Sequence, residues 1–167
     1  MHDEQQLLTW VPRLRRYARA LSASRDDADD LVQDTVERAW AKSGLWSGVV
    51  DMQAWLFSIM HNVHVDTIRR PRISTITMDD DTPEVALART QGERLAVLDL
   101  QAALDLLPVE QEKIVLLVGL EDMAYADVSK TLGIPIGTVM SRLSRGRERL
   151  RALMEGRDEP VPLKVVK

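Results

Sequence analysis

Arginine is concentrated near the C-terminal end of this sequence, in a stretch whose residue types could bind a DNA duplex. Residues 136–151 carry five arginines and a single acidic residue, Glu148. The arginines are Arg142, Arg145, Arg147, Arg149 and Arg151. A guanidinium group donates paired hydrogen bonds to guanine edges and to phosphate oxygens. The local charge therefore favours contact with nucleic acid, and the alternative is a solvated cationic face on an ordinary core helix.

Two predicted helices within residues 123–154 hold these side chains in position. In the first, Tyr125, Val128 and Leu132 recur at helical spacing and share one face. The segment Gly133-Ile134-Pro135 breaks the pattern. Apolar residues then predict a core stripe for the second helix, comprising Val139, Met140, Leu143, Leu150, Leu153 and Met154. Two helices joined by a tight turn containing glycine form a helix-turn-helix, and in DNA-binding proteins the second helix enters the major groove.

An acidic helix is predicted much earlier in the chain. Ser24 can cap its start, and the aspartates that follow favour the positive end of a helix. The predicted buried side comprises Ala28, Leu31, Val32, Val36, Ala39 and Trp40, and the other side carries Asp29, Asp30, Gln33, Asp34 and Glu37. Such a face is either solvated or docked on a basic surface of another protein. The residues alone leave both possibilities open.

The next predicted helix covers residues 52–70 and follows a loop of sequence LWSGVVD. Its inner face is expected to contain Trp55, Leu56, Ile59, Val63 and Ile68. Trp46 and Trp55 lie near polar side chains and are candidates to stack an unpaired base, although most tryptophans belong to the core.

Histidine residues on the same helix raise the question of a metal site. His61, His64 and Asp66 have a spacing that a metal could use, but no further His or Cys completes such a site. We therefore expect no metal and no cofactor. With three histidines and no cysteine in the chain, hydrolytic or metal-dependent catalysis is also disfavoured.

The composition is that of an acidic globular protein. The chain has 167 residues, of which 45% are hydrophobic, and a formal net charge of −4. It has neither a signal-peptide pattern nor an apolar run long enough for membrane insertion, so we expect a cytoplasmic protein. Because phosphate binding requires Lys and Arg, an acidic chain of this kind is expected to meet DNA only within a larger, more basic assembly.

Hydrophobic periodicity separates two helical segments. The first predicted helix, residues 5–21, contains Pro12, which either kinks it or starts it afresh. Its apolar face comprises Leu7, Leu8, Val11, Leu14, Ala18 and Leu21. The pattern loosens at residues 71–92, where Asp79-Asp80-Asp81 precedes a capping Thr82-Pro83 pair. We predict an all-α fold of two small helical domains, residues 1–70 and 93–156, with a flexible linker at 71–92 and a frayed tail at 157–167.

Two separated blocks of the sequence resemble the extracytoplasmic-function sigma factors of bacterial RNA polymerase. The first block comprises DADDLVQDTVERAW and AWLFSIMHNVHVDTIRR, and the second is LPVEQEKIVLLVGLEDMAYADVSKTLGIPIGTVMSRLSRGRERL. Their order around an acidic linker matches that family over nearly the whole chain. The resemblance implies a dissociable subunit, not an enzyme, that directs core polymerase to specific promoters and initiates transcription.

The resemblance also implies roles for three sets of residues. The acidic helix would dock on core polymerase through Asp30, Gln33, Asp34 and Glu37. The N-terminal domain would bind and melt the −10 element, holding its single strand through Ser43, Trp46, Trp55, Asn62, Asp66, Arg69 and Arg70. The helix-turn-helix would bind the −35 duplex through Thr138, Met140, Ser141, Arg142, Arg145 and Arg149.

The sequence departs from the family pattern at two positions. A polar or basic residue is common in the family where Met140 stands, and an apolar contact to a thymine methyl group could replace the polar one. Ala124 occupies a position where Ser or Thr would cap the helix better. The resemblance further implies an inhibitory anti-sigma factor as a partner. The competing hypothesis is a freestanding repressor or activator that binds duplex DNA without polymerase; the net acidity disfavours it.

Overall fold

The computed structural model describes residues 2–70 and 91–156, and these residues form helices without any strand. In chain order the helices are α1 (His2–Leu21), α2 (Arg25–Ala41), a 3-10 helix (Ser43–Gly48), α3 (Met52–Arg69), α4 (Gln91–Asp105), α5 (Val109–Gly119), α6 (Tyr125–Leu132) and α7 (Ile136–Met154). The prediction of an all-α protein is confirmed. The predicted acidic run at 79–81, the Thr82-Pro83 cap and the tail lie outside the described residues.

The N-terminal half is built on α1, α2 and α3. Helix α1 continues through Pro12 as a single element. It packs on α2, and α2 packs on α3. The ring of Tyr17 meets the ring of Phe57 edge to face at 5.2 Å between centroids, and both side chains are buried. This aromatic pair joins α1 to α3 within the core.

The apolar faces of these helices are narrower than the sequence predicts. The expected burial of Leu8, Trp40 and Ile68 is wrong, because their exposed fractions are 67%, 46% and 55%. Successive residues of a helix point about 100° apart, so when Leu7 and Ala39 occupy the core positions, the residue after each of them turns toward solvent. Ile68 lies in the last turn of α3, where residues 66–70 are all exposed.

Side-chain caps define the starts of α2 and α3. The Ser24 hydroxyl accepts a hydrogen bond from the Asp27 backbone N–H at 3.1 Å, which confirms the predicted cap. The Asp51 carboxylate does the same for the Ala54 N–H at 3.0 Å. Between these helices the predicted LWSGVVD loop contains a 3-10 helix, which turns Trp46 inward.

The C-terminal half contains the predicted helix-turn-helix. Helix α6 ends at Gly133, whose φ of 66° lies in the left-handed region that glycine adopts without strain. Helix α7 then begins at Ile136. Val139 and Leu143 of its predicted stripe are buried, but Met140 and Met154 are 48% and 45% exposed, so their assignment to the core is wrong. Helices α4, α5 and α6 all pack on α7, and the sides that carry Met140 and Met154 are left exposed.

Gly146 allows α5 and α7 to approach closely. A β-carbon at this position would lie 2.9 Å from Val115 Cγ2 and 3.3 Å from Gln111 Cβ, both on α5. Glycine within a helix costs about 1 kcal/mol relative to alanine. The close packing of α7 on α5 offsets this local cost, and any larger side chain would push the two helices apart.

We expect Gly146→Ala to lower the free energy of unfolding by about 1 kcal/mol, because overpacking costs about 1–3 kcal/mol against a gain of up to about 1 kcal/mol in helix propensity. Gly137→Ala in the same helix is the matched control, since a β-carbon there meets no atom within 4 Å. It should raise stability by about 0.5–1 kcal/mol. Urea unfolding measures both, and equal stabilisation by the two substitutions would contradict the close approach.

Candidate nucleic-acid interface

Helix α7 presents an exposed polar row beside its buried one. Ser141, Arg145 and Arg149 are spaced four residues apart and all three are exposed, so they follow one line along the helix. Thr138 is partly buried, and its carbonyl accepts a hydrogen bond from the Ser141 hydroxyl at 3.2 Å. The structure therefore groups four of the six residues expected to contact the −35 duplex on one side of α7.

The other two expected contacts lie differently. Arg142 pairs with Glu110 of α5 at 3.1 Å, and its side chain is 29% exposed. This ion pair directs the guanidinium toward α5. Met140 lies on the opposite flank from Ser141, in a groove between α6 and α7. The groove is lined by Tyr125, Met140, Leu143, Ser144, Arg147, Glu148 and Arg151.

Helix α3 carries a second exposed polar row. Asn62, Asp66 and Arg69 are exposed and are spaced four and three residues apart, which keeps them on one face of the helix. Arg70, also exposed, follows directly as the C-cap of α3. Asp66 accepts a hydrogen bond from Arg38 of α2 at 3.1 Å, which fixes this carboxylate against α2. The guanidinium groups of Arg69 and Arg70 give the end of the row its positive charge.

Three tryptophans form a cluster at the start of α3. Trp46 is 5% exposed, its indole N–H donates to the Ala39 carbonyl at 3.0 Å, and its ring meets those of Trp40 and Trp55 edge to face. The expected base-stacking role of Trp46 does not fit this buried position. Trp40 is the exposed member of the cluster, and the sequence missed it because its spacing placed it with the buried residues of α2. Ser43 at the start of the 3-10 helix is exposed, and Trp55 is partly buried.

The outer face of α2 is acidic and accessible. Asp30, Gln33, Asp34 and Glu37 are all exposed. The Gln33 side-chain amide donates to the Glu37 carboxylate at 3.1 Å, an i, i+4 contact along the helix. The opposite face buries Ala28, Leu31, Val32, Thr35 and Ala39. The four residues expected to bind polymerase thus lie together on the surface.

A buried carboxylate links the two halves of the chain, and the sequence did not single it out. Glu121, in the turn between α5 and α6, is 1% exposed. Its carboxylate accepts hydrogen bonds from Arg13 at 2.9 Å and from Arg16 at 3.0 Å, both on α1. Its backbone carbonyl accepts from Arg13 and from Gln53 of α3, each at 2.9 Å. We call this group of Glu121, Arg13, Arg16 and Gln53 the Glu121 clasp.

A cluster of titratable side chains lies beside the clasp, where α3 meets α5. The Lys113 ammonium lies 3.4 Å from Nδ1 of His61. Burial, and then the charge of Lys113, lower the pKa of His61 and that of His64 to about 4. Burial, and then the nearby Asp105, raise the pKa of Glu112 to about 7. The histidines are therefore neutral near pH 7, as packing between helices requires.

Two other kinds of site are absent from the described residues. Within residues 2–70 and 91–156 no group of His, Cys, Asp and Glu side chains could hold a metal ion. No helix in that part of the chain is long and apolar enough to cross a membrane.

Comparisons with known proteins match both halves of the chain. The family model of the sigma2 domain of PhyR matches residues 7–61, and that of sigma-70 region 4 matches residues 98–150. The ECF RNA polymerase sigma factor EcfG of Rhodopseudomonas palustris is 35% identical over 149 residues, which cover 89% of this chain and 82% of that protein. SigM of Mycobacterium tuberculosis, another ECF sigma factor, is 35% identical over 141 residues, covering 84% and 71%.

A solved structure extends the similarity to three dimensions. The sigma factor RpoE of Bartonella quintana, crystallised in complex with the anti-sigma factor NepR, superposes with a TM-score of 0.75 and 36% identity. The superposition covers 91% of this chain and 96% of that one. It therefore spans both helical halves together.

The shifted pKa values of His61, His64 and Glu112 predict how the free energy of unfolding depends on pH. Both histidine pKa values fall from 6.5 to about 4 on folding. The contribution of the two histidines to the free energy of unfolding is therefore fully present above pH 6.5 and is lost as the pH falls toward 4. Because the pKa of Glu112 rises from 4.5 to about 7, its contribution is present below pH 4.5 and is lost as the pH rises toward 7. With two histidines opposing one glutamate, the free energy of unfolding should rise from pH 5 to pH 7.

The double substitution His61→Gln and His64→Gln should reverse that slope, since Glu112 then acts alone. Glu112→Gln is the converse control and should make the rise steeper. Urea unfolding followed by circular dichroism at pH 5, 6 and 7 measures these slopes. Parallel profiles for the three proteins would contradict the pKa assignments.

Proposed function

This chain belongs to the extracytoplasmic-function sigma factors of bacterial RNA polymerase, and we propose that it divides promoter recognition between its two helical halves. Members of the family are dissociable subunits that direct core polymerase to promoters and start transcription. In this chain the N-terminal half binds core polymerase and the −10 element, and the C-terminal half binds the −35 element. The protein acts in the cytoplasm, where the polymerase and the chromosome are.

The observation that carries the proposal is the pair of exposed polar rows, one on α3 and one on α7, in the same order as the two matched sigma regions. On α7, Ser141, Arg145 and Arg149 enter the major groove of the −35 duplex together with Thr138. Met140, in the groove between α6 and α7, contacts a thymine methyl group or the sugar-phosphate edge. Arg142 holds α7 to α5 through Glu110 and contributes to the interface by fixing the orientation of the helix.

On α3, the row from Asn62 to Arg70 holds the −10 strand after the duplex opens. Arg69 and Arg70 neutralise phosphates, and Asn62 and Asp66 offer hydrogen-bonding groups to base edges. Ser43 lies on the loop that approaches an extruded base. Trp40 is the exposed ring that stacks on it. The buried Trp46 supports Trp40 from behind, and the partly buried Trp55 packs on Trp46.

The acidic face of α2 supplies the contact with core polymerase. Asp30, Asp34 and Glu37 present three carboxylates, and Gln33 adds an amide between them. A surface of this charge binds a basic partner surface and accelerates the encounter. Through this contact the acidic chain approaches DNA as part of a larger, more basic assembly. The positive charge of that assembly offsets the unfavourable net charge of −4 that the chain carries alone.

An anti-sigma factor is proposed as a further partner. The Bartonella quintana relative was crystallised with one, and its superposition spans both halves of this chain. An inhibitor of this class would therefore engage the two halves in an arrangement like the one described here.

The decisive test is run-off transcription with bacterial core polymerase, with and without the protein, on promoters that carry altered −10 or −35 elements. Starts that require the protein and are lost when either element is altered would support the proposal. A freestanding regulator would be favoured by transcription that does not depend on the −35 element. It would also be favoured by tight binding of the protein to duplex DNA without polymerase.

Reversing charge with Asp30→Lys and Asp34→Lys should weaken binding to core polymerase about 10-fold, which corresponds to about 1.4 kcal/mol. The matched control is Glu4→Lys with Asp99→Lys, because these exposed residues lie on α1 and α4 and change the net charge equally. Fluorescence titration with core polymerase gives both affinities. Equal weakening in the two proteins would show a net-charge effect and argue against a docking face on α2.

Arg145→Ala should lower −35-dependent transcription by an amount equivalent to about 1–3 kcal/mol if the guanidinium contacts a base. Arg15→Ala on α1 is the control, since it removes the same charge from an exposed position outside the proposed −35 interface. Transcription is compared across a panel of −35 variants. A loss confined to some variants supports a base contact, whereas a uniform loss identifies a phosphate contact.

A further inference from the structure

Methionine supplies all the sulfur in this chain, because the sequence contains seven methionines and no cysteine. Within residues 2–70 and 91–156, two methionine side chains are exposed: Met140 is 48% exposed and Met154 is 45% exposed. Met60 and Met123 are buried, at 0% and 5%, and Met52 is partly buried. An oxidant in solution therefore reaches Met140 and Met154 before it reaches the thioethers of the core.

The surroundings of Met140 are partly apolar and partly polar. Its side chain lies in the groove between α6 and α7, which has a volume of about 540 Å³. Ser144 and Arg147 line the same groove. They follow Met140 by four and seven residues, so the three side chains lie along one side of α7. The thioether is thus open to a small oxidant and shares its groove with a hydroxyl and a guanidinium group.

A peroxide is sufficient to change the chemistry of this side chain. Hydrogen peroxide transfers one oxygen atom to the Met140 sulfur: the S–O bond forms as the O–O bond breaks, sulfur loses two electrons, and the second oxygen leaves as water. The thioether is apolar, whereas the sulfoxide oxygen is a polar acceptor. The Ser144 hydroxyl and the Arg147 guanidinium are donors that this oxygen can use. Oxidation therefore replaces an apolar group in the groove by a polar one.

The position of Met140 on α7 connects this change to DNA binding. Met140 directly precedes Ser141, the first exposed residue of the α7 row. A thioether against a thymine methyl group is favourable because both apolar groups leave water. A sulfoxide oxygen in the same place would lose its hydrogen bonds to water and find no donor on the methyl group. The oxidised side chain thus opposes the contact that the thioether favours.

Met154 provides an internal comparison, since it is as exposed as Met140 but lies elsewhere on the helix. It follows Met140 by 14 residues, which is about 21 Å along α7. It also lies beyond Arg149, the last residue expected to contact the −35 duplex. Oxidation of Met154 is therefore expected to leave the −35 contact unchanged.

We propose that Met140 is a reversible oxidation site, through which a peroxide weakens the binding of α7 to the −35 duplex by removing an apolar contact with a thymine methyl group. The inference rests on the proposed function, in which α7 enters the major groove of that duplex. Methionine sulfoxide reductases return the sulfoxide to the thioether, so the loss of binding can be reversed. The protein thereby responds to an oxidant without a thiol.

The first test identifies the reactive methionines. The full-length protein is treated with hydrogen peroxide, the peroxide is removed with catalase, and the digested protein is analysed by mass spectrometry. Met140 and Met154 should be oxidised several-fold faster than Met60 and Met123, which are buried. If Met140 reacted no faster than the two buried methionines, the assignment of the site would be wrong.

The second test connects oxidation to transcription. Treated and untreated proteins are added to unoxidised core polymerase, and each variant is compared with its own untreated sample. Oxidation should lower −35-dependent transcription by the wild-type protein about 5-fold, the size expected for the loss of one methyl-sized apolar contact. Met154→Leu should show the same loss, and Met140→Leu should show none. An equal loss in Met140→Leu, or protection by Met154→Leu, would overturn the role of Met140.

Reversal is measured on the same treated wild-type protein. Methionine sulfoxide reductases of both epimer specificities should restore its −35-dependent transcription to the untreated level. Conversion of the Met140 sulfoxide back to methionine without any recovery of transcription would show that another lesion causes the loss.

A modified template tests the contact with thymine. Deoxyuridine lacks the methyl group of thymidine and keeps its hydrogen-bonding groups. When deoxyuridine replaces every thymidine of the −35 element, the untreated protein should transcribe less, and oxidation should then lower transcription little further. An oxidative loss as large as that on the thymidine template would argue against the methyl contact.

Failure of the proposed function would give a different result. If transcription by the untreated protein did not depend on the −35 element, the assignment of α7 would itself be wrong, and the mass spectra would still decide whether Met140 is a reactive thioether. Intact −35 dependence that peroxide does not alter, in protein whose Met140 is oxidised, would overturn the oxidation proposal alone.

Discussion

A buried carboxylate can remain charged only if donors surround it, and this requirement organises the contact between the two halves of the chain. Glu121 obtains its donors from Arg13 and Arg16 of α1, while Gln53 of α3 binds its carbonyl. Because the Glu121 carboxylate is fully buried, losing these donors would leave it unsatisfied, although solvent screening of the partly exposed arginines reduces the strength of each ion pair. The position of the turn between α5 and α6 is therefore fixed against α1 by the hydrogen bonds to the Glu121 carboxylate. The helix-turn-helix begins directly after this turn, so the same contact fixes where it starts.

The same arrangement leaves the proposed binding surfaces exposed to solvent. The clasp, the Tyr17–Phe57 pair and the α5–α7 contact use the inward faces of the helices. The acidic face of α2, the α3 row and the α7 row are left exposed. Local charge then differs from net charge: the chain is acidic overall, yet α7 presents a basic line to solvent. Under the proposed function, an assembly partner that binds the acidic face presents the basic line to DNA.

The sequence predicted local features well and distant contacts poorly. The helix-turn-helix could be predicted from hydrophobic periodicity together with Gly133 and Pro135, and the start of α2 could be predicted from Ser24. These predictions succeed because a helix and its caps depend on residues within four positions of each other. The same reasoning misplaced Trp40 and Trp46, whose exposure depends on which side of α2 the 3-10 helix covers. It also left out Glu121, because Arg13 and Arg16, the donors to its carboxylate, lie more than 100 positions away in sequence and periodicity carries no information about them.

Helix α5 connects the proposed DNA-binding surface on α7 to the Glu121 clasp. On one side it fixes α7, through the close approach at Gly146 and the Glu110–Arg142 ion pair. At its C-terminal end the Leu116 and Leu117 carbonyls accept hydrogen bonds from the Glu121 and Met123 N–H groups, which holds the turn to the helix. Because α7 and the Glu121 turn are both attached to α5, this helix links the exposed α7 row to the contact with α1.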